Sequence, residues 1–436
     1  MDTTPLVDGL EYQAKLASTA LSGDATTKLT KEGIVVSTLL DTAEIPFADI
    51  NELSFEDHQV VIVTDTDRLV FSQLGSWGQP FFDELHGAYN KAVLDSLFTH
   101  GKPLITSEGG YAYREAGVSA NGQAPIHVYE NCVCVLPTNL AARRVPLHFL
   151  TGLDKGDFAL THRVDDDEYT FSKLGYETDP FERTVIARTK ALREETQAMV
   201  QEIDPTISTG QAAQIAKLMP GGAAASRKAL LEVAPSFVEV AEAAIGKSRS
   251  GEYYEQLKTL SDPADMHLGF IWTGDASDKE EGGAVPGLEG LPIDLPNITQ
   301  MLTDVVPAEM GQEQDTDSGS PYLFYAVAPS SDRSKCAVEF AVPENESAAT
   351  FVYRCDGGAD SFIPRINRAM EAVDYARDVI SMDEEKLKLP ENRRYAMAVK
   401  RSSALAQVRE GFLGRVIHSS PDTWKRNMEG YFATTA

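Results

Sequence analysis

Phe71-Ser72-Gln73-Leu74-Gly75, followed by Pro80-Phe81, decides how this chain is read, because it occurs twice. One hundred positions on stand Phe171-Ser172-Lys173-Leu174-Gly175 and then Pro180-Phe181. The same gapless register aligns Pro46 with Pro146, Leu53 with Leu153, Asp57 with Asp157, and Asp65 and Asp67 with Asp165 and Asp167. Chance rarely keeps so many residues in one frame. A period this long exceeds the roughly 20–50 residues of solenoid repeats, so the pattern marks a duplicated domain.

Around each copy the hydrophobic period changes in the same way. Ile34-Val35-Val36, Glu44–Ile50, Val60–Thr64 and Leu69–Ser72 are short β-branched or aromatic runs, with Asp65-Thr66-Asp67 as a tight turn. Phe82, Leu85, Tyr89, Ala92 and Val93 then recur at helical spacing up to His100-Gly101, with Pro80 in the first turn. The second copy offers strands at Tyr111–Tyr113, Ile126–Leu136, Val145–Leu150, Phe158–Thr161 and Tyr169–Ser172. Its helix carries Val185, Thr189, Leu192 and Met199, with Asp179 expected as N-cap and Asp204-Pro205 as the stop.

Short antiparallel strands closed by one C-terminal helix, with Ile45-Pro46-Phe47-Ala48-Asp49-Ile50 matched by Val145-Pro146-Leu147-His148-Phe149-Leu150, resemble the bacterial pleckstrin-homology-like (PH-like) and GRAM-like domains. The resemblance covers about the first 200 residues. It implies an α+β fold: two PH-like antiparallel β-barrel or sandwich units, residues 1–101 and 102–204, each closed by a C-terminal helix. Neither copy carries a clear basic cluster in its first hairpin loop, which phosphoinositide-binding members of the superfold use.

Residues 205–263 read as a helical insert broken at Pro220, Pro235 and Gly246. Pro220-Gly221-Gly222-Ala223-Ala224-Ala225-Ser226-Arg227-Lys228 lacks the glycine-lysine-hydroxyl ending of a phosphate loop and reads as a flexible helix–helix connection. Strands resume at Leu268–Thr273, Tyr322–Ala328, Cys336–Val342 and Thr350–Cys355, with a helix after them. For residues 264–385 a third, diverged PH-like unit is favoured by matching Thr350-Phe351 to Thr170-Phe171 and opposed by the lost leucine-glycine pair. Within it, 275–320 is rich in Gly, Pro and acid and reads as a long loop, with a helical piece around Ile298–Val306. Residues 386–436 read as a basic, mostly helical tail whose apolar stripe runs from Tyr395 to Val416.

At 436 residues the chain is expected to hold several domains. Its formal charge of −27 argues against nucleic acid and anionic lipid as general partners. Residues 1–100 alone carry 16 Asp and Glu against 5 Lys and Arg. No apolar run reaches the roughly 18–20 residues of a membrane helix, and no secretory signal is read at Met1-Asp2-Thr3-Thr4-Pro5. Cys132 and Cys134 alternate with valines on one strand face, and all four cysteines are expected as buried free thiols. A cytoplasmic setting fits.

Chemistry-bearing residues are sparse. The Asp65-x-Asp67 and Asp165–Glu168 turns supply too few oxygens for a tight calcium site and read as turn residues. His148 and His162 could approach each other in one copy only, since Ala48 and Ile62 replace them in the other. No cofactor or metal is implied. Arg393, Arg394, Lys400, Arg401 and Arg409 form the one concentrated basic face, for which three roles compete: packing on the chain's own acids, binding a partner protein, or touching a membrane surface. The functional expectation is a non-enzymatic, cytoplasmic interaction or scaffold protein. Peripheral lipid binding through the basic helix and an enzyme of unrecognised type are the alternatives.

Overall fold

The computed structural model describes residues 11–274, 321–343, 346 and 348–433. The acidic loop expected at 275–320, with its helical piece, lies outside the described residues.

The first unit comprises β1 (Tyr12–Ala17), β2 (Ser22–Leu29), β3 (Gly33–Thr38), β4 (Thr42–Pro46), β5 (Ile50–Glu56), β6 (Gln59–Thr64), β7 (Arg68–Ser72) and helix α1 (Gly78–Ser96). The second repeats it as β8 (Ile105–Glu115), β9 (Val118–Val128), β10 (Cys132–Val135), β11 (Arg143–Pro146), β12 (Leu150–Gly156), β13 (Ala159–Val164), β14 (Asp167–Ser172) and α2 (Thr178–Ile203). Both sheets are antiparallel, in the orders β4-β3-β2-β1-β7-β6-β5 and β11-β10-β9-β8-β14-β13-β12. Register repeats as well as order. Val60 pairs with Phe71 and Leu160 with Phe171, and a register shift falls between Ile50 and Glu52 and again between Leu150 and Gly152.

The repeated motif is a strand-to-helix corner. Phe71 and Phe171 are buried at the strand end, and each ring meets the helix phenylalanine, Phe81 at 5.7 Å and Phe181 at 5.5 Å. Gly75 and Gly175 adopt φ of 58° and 61°, a left-handed conformation that costs glycine little and most residues more. That is the physical reason the leucine-glycine pair recurs. Some local expectations shift. Ile45–Ile50 is a corner, with β4 ending at Pro46 and a 3-10 turn at Phe47–Asp49. Helix α2 starts at Thr178, so Asp179 sits in its first turn rather than at the N-cap.

The two units share apolar packing. Strand β10 is buried on both faces: Val133 and Val135 join the second unit's core, whereas Cys132 and Cys134 join the first unit's. Leu53 N–H also donates to Thr138 O at 2.8 Å, tying the backbones together.

The third sheet is a six-stranded antiparallel meander in chain order: β15 (Ala225–Ser226), β16 (His267–Trp272), β17 (Tyr322–Pro329), β18 (Lys335–Phe340), β19 (Ala349–Arg354) and β20 (Phe412–Ile417). Its order differs from the one the first two sheets share. Its two edge strands come from segments expected to be helical, one in the insert and one in the tail. On one face pack α3 (Thr209–Leu218), α4 (Arg227–Val233), α5 (Pro235–Lys247), α6 (Gly251–Leu260) and α11 (Pro421–Ala433). On the other pack α7 (Ala359–Ala372), α9 (Arg393–Arg401) and α10 (Ser403–Glu410), with the short α8 (Glu384–Leu387) leading in. Residues 205–263 are therefore a layer of this α/β/α unit. The stripe expected as one helix is broken at Ser402 and ends in β20.

The glycine-rich connection is pinned, not flexible. Gly222 has φ of 87°, and a Cβ there would stand 2.2 Å from Phe270 O, so only glycine fits. Ala224 N–H donates to Asn367 Oδ1 at 2.9 Å, and Asn367 Nδ2 donates back to Ala224 O at 3.0 Å.

Phe71→Ala and Phe171→Ala should each lower unfolding stability by about 3–5 kcal/mol in denaturant melts. A change below about 1 kcal/mol in either would place that ring outside the core.

Candidate interaction site

Each of the five basic residues singled out above engages its own chain. Arg393 reaches Glu32 at 2.7 Å and Glu44 at 3.7 Å. Arg394 reaches Asp95 at 3.3 Å and lies 3.8 Å over the Phe98 ring. Lys400 pairs with Asp65 at 2.9 Å, and Arg409 with Glu384 at 2.6 Å. Arg401 is 1% exposed and donates to Tyr89 Oη at 2.7 Å and Met397 O at 3.2 Å. The structure thus spreads these residues over several separate contacts, with α9 seated on the first unit. Met397, Ala398, Leu405 and Val408 supply the buried side of α9 and α10.

The aspartate turns have a shared structural role. Asp67 accepts from Thr19 N–H at 3.0 Å and Ala20 N–H at 3.2 Å, and these backbone donors hold its carboxyl down to about 2. Asp167 accepts from Ala116 N–H at 2.8 Å. In each unit the second aspartate ties its turn to the neighbouring hairpin. The C-terminal half then meets the same turn twice, through Lys400 on Asp65 and Arg368 on Asp167.

Around Arg368 lies a buried ionic junction that sequence reading missed. Arg143 Nε donates to Glu115 at 2.6 Å, Arg368 approaches Glu115 at 3.7 Å and Tyr169 Oη at 3.2 Å, and Arg144 pairs with Glu371. The available signal was Arg143-Arg144, two charges adjoining the apolar Val145–Leu150 run. Charges almost never sit fully buried unless paired, so a partner elsewhere in the chain was implied.

Where the second unit, the helical layer and α7 converge, a cleft of about 620 Å³ opens. Leu192, Ala223, Ala229 and Ile363 give it apolar lining, whereas Asp165, Arg193, Lys217 and Asp360 are exposed charges at its edge. His148 and His267 also line it, and burial holds His267 below its ordinary value. A mixed lining of this volume suits a ligand that presents both apolar and charged groups.

The two histidines whose sequence positions allowed an approach do different things. His148 lies in the turn after β11 and lines the cleft. His162, on β13, is fully buried 4.9 Å from the Phe171 ring centroid, with neither ring nitrogen hydrogen-bonded among the described residues. All four cysteines are buried as free thiols, and burial pushes the Cys134 and Cys336 thiols up, the state of unreactive sulfur. Among the described residues no helix is long and apolar enough to cross a membrane. Comparison with protein-family models and with curated proteins finds no match to the chain.

Burial lowers the His162 pKa from 6.5 to about 3. The unfolded chain therefore binds a proton that the folded chain refuses, and stability falls as pH drops from about 6.5 towards 3. At its steepest this is about 1.4 kcal/mol per pH unit. His162→Ile, which copies Ile62 of the first unit, should fold at neutral pH and flatten that loss in acid melts. An unchanged acid limb would assign it to other groups.

Proposed function

We propose that the protein is a non-enzymatic interaction protein: a scaffold built on tandem PH-like units, with a partner protein recognised at the three-way cleft. The observation that carries this is the cleft itself, formed only because three parts of the chain are locked together. Supporting the PH-like reading are the common strand order, the repeated register and the capping helix of the first two units. Both units fill their interiors with aromatic side chains, which directs recognition to surfaces between units. The exposed Arg193 and Lys217 suit an acidic group on the partner, Asp165 and Asp360 at the same edge suit a basic one, and the apolar lining suits its aliphatic side chains. Immobilised full-length chain should capture a partner from its native extract that an Arg193→Glu/Lys217→Glu variant loses. Identical captured sets from the two proteins would refute the cleft as the recognition site.

A second reading, peripheral membrane binding, is favoured by one observation. Leu39 and Leu40, adjacent at the β3–β4 hairpin tip, are 97% and 93% exposed. This route differs from the basic-helix route, which would require Arg393 and Lys400 to leave Glu32 and Asp65. If the tip inserts, the chain co-sediments with phosphatidylcholine vesicles and Leu40→Asp abolishes it; no co-sedimentation at physiological salt removes the reading.

A further inference from the structure

We propose that the interior cavity at the junction of both N-terminal units and the C-terminal half is a binding site for one small monovalent anion of chloride size. The cavity is about 20 Å³, enough for a single water-sized occupant, and is walled by residues from all three parts. Three guanidinium groups line it, Arg144, Arg368 and Arg401, against two carboxylates, Glu115 and Glu371.

Those carboxylates are already committed. Glu371 is paired with Arg144, and Glu115 is shared between Arg143 at 2.6 Å and Arg368 at 3.7 Å. Asp167 pairs with Arg368, and Asp165 lies exposed nearby. Arg401 is left with neutral partners, Tyr89 Oη, Met397 O and the Tyr89 ring, whose centroid is 5.8 Å from the guanidinium carbon, and with no carboxylate in contact among the described residues. The Nε atoms of Arg144 and Arg401 are buried and have no hydrogen-bond partner among the described residues. A buried cation with no counter-charge is strongly unfavourable in a protein interior. Here the unmatched charge and the unused donors belong to side chains lining one small cavity. A water would satisfy the donors but leave the charge; a halide ion satisfies both. A polyatomic anion such as sulfate is too large for the space.

The test is thermal melting of the full chain at constant ionic strength, with sodium gluconate replaced stepwise by sodium chloride or bromide. An anion that binds only the folded state raises the melting temperature with the logarithm of its concentration once above its dissociation constant. The unaltered chain and Arg401→Lys should show this rise, and Arg401→Met should not. No halide response in the unaltered chain, or an equal one in Arg401→Met, overturns the proposal. Should Arg401→Met fail to fold, anomalous diffraction from bromide-grown crystals of the unaltered chain decides. A bromide peak in the cavity supports the site, and a cavity holding only water overturns it.

Discussion

The docking of the C-terminal half onto the two N-terminal units depends on guanidinium groups from which water is largely excluded. Arg143 and Arg144 lie on β11 of the second unit, Arg368 on α7, and their carboxylates come from β8, β14 and α7. Desolvating such charges costs several kcal/mol each, and their attraction offsets this only when geometry is good. A pair of this kind adds little net stability, yet separating it strands a charge at a cost of about 3–5 kcal/mol. The junction therefore acts mainly on orientation: it disfavours any docking of the C-terminal half that leaves these groups unmatched.

The acidity of the first unit takes on a definite role in this setting. Glu32, Glu44, Asp65 and Asp95 all face bases from α9. These pairs are partly exposed and each contributes little, roughly 0–1 kcal/mol. Their collective effect is to match an acidic body with the one basic segment of the same chain, so that α9 has a seat before its apolar face closes. Of the three roles the sequence left to this basic segment, packing on the chain's own acids is the one these contacts display.

How much of this was legible in the residues depended on range. The duplicated corner was readable because Phe71, Gly75 and Phe81 answer to local geometry, a buried ring and a left-handed turn, and the second copy repeats both demands. The cysteine face of β10 followed from simple alternation. Four strands of the third sheet, β16 to β19, were readable as β-branched and aromatic runs, but its two edges were not, because β15 is two residues long and β20 follows a helix directly, so neither has a period of its own. The pinning of Gly222 was equally hidden, since its cause is the Phe270 carbonyl, far along the chain. Of the interaction residues, the basic helix was visible but its partners were not. The cleft, drawn from segments as distant as His148 and Asn367, left no local trace at all.

Strand β10 serves two interiors at once. An edge strand with one wet face can absorb a slip, since misplaced side chains merely exchange water for protein. Here a one-residue insertion would turn Val133 and Val135 toward the first unit and the smaller cysteines toward the second. One core would be overfilled and the other left with voids in the same step. The length of this short segment is thus among the least negotiable features of the chain, and the two copies, once joined through it, have lost the freedom to drift apart as separate modules.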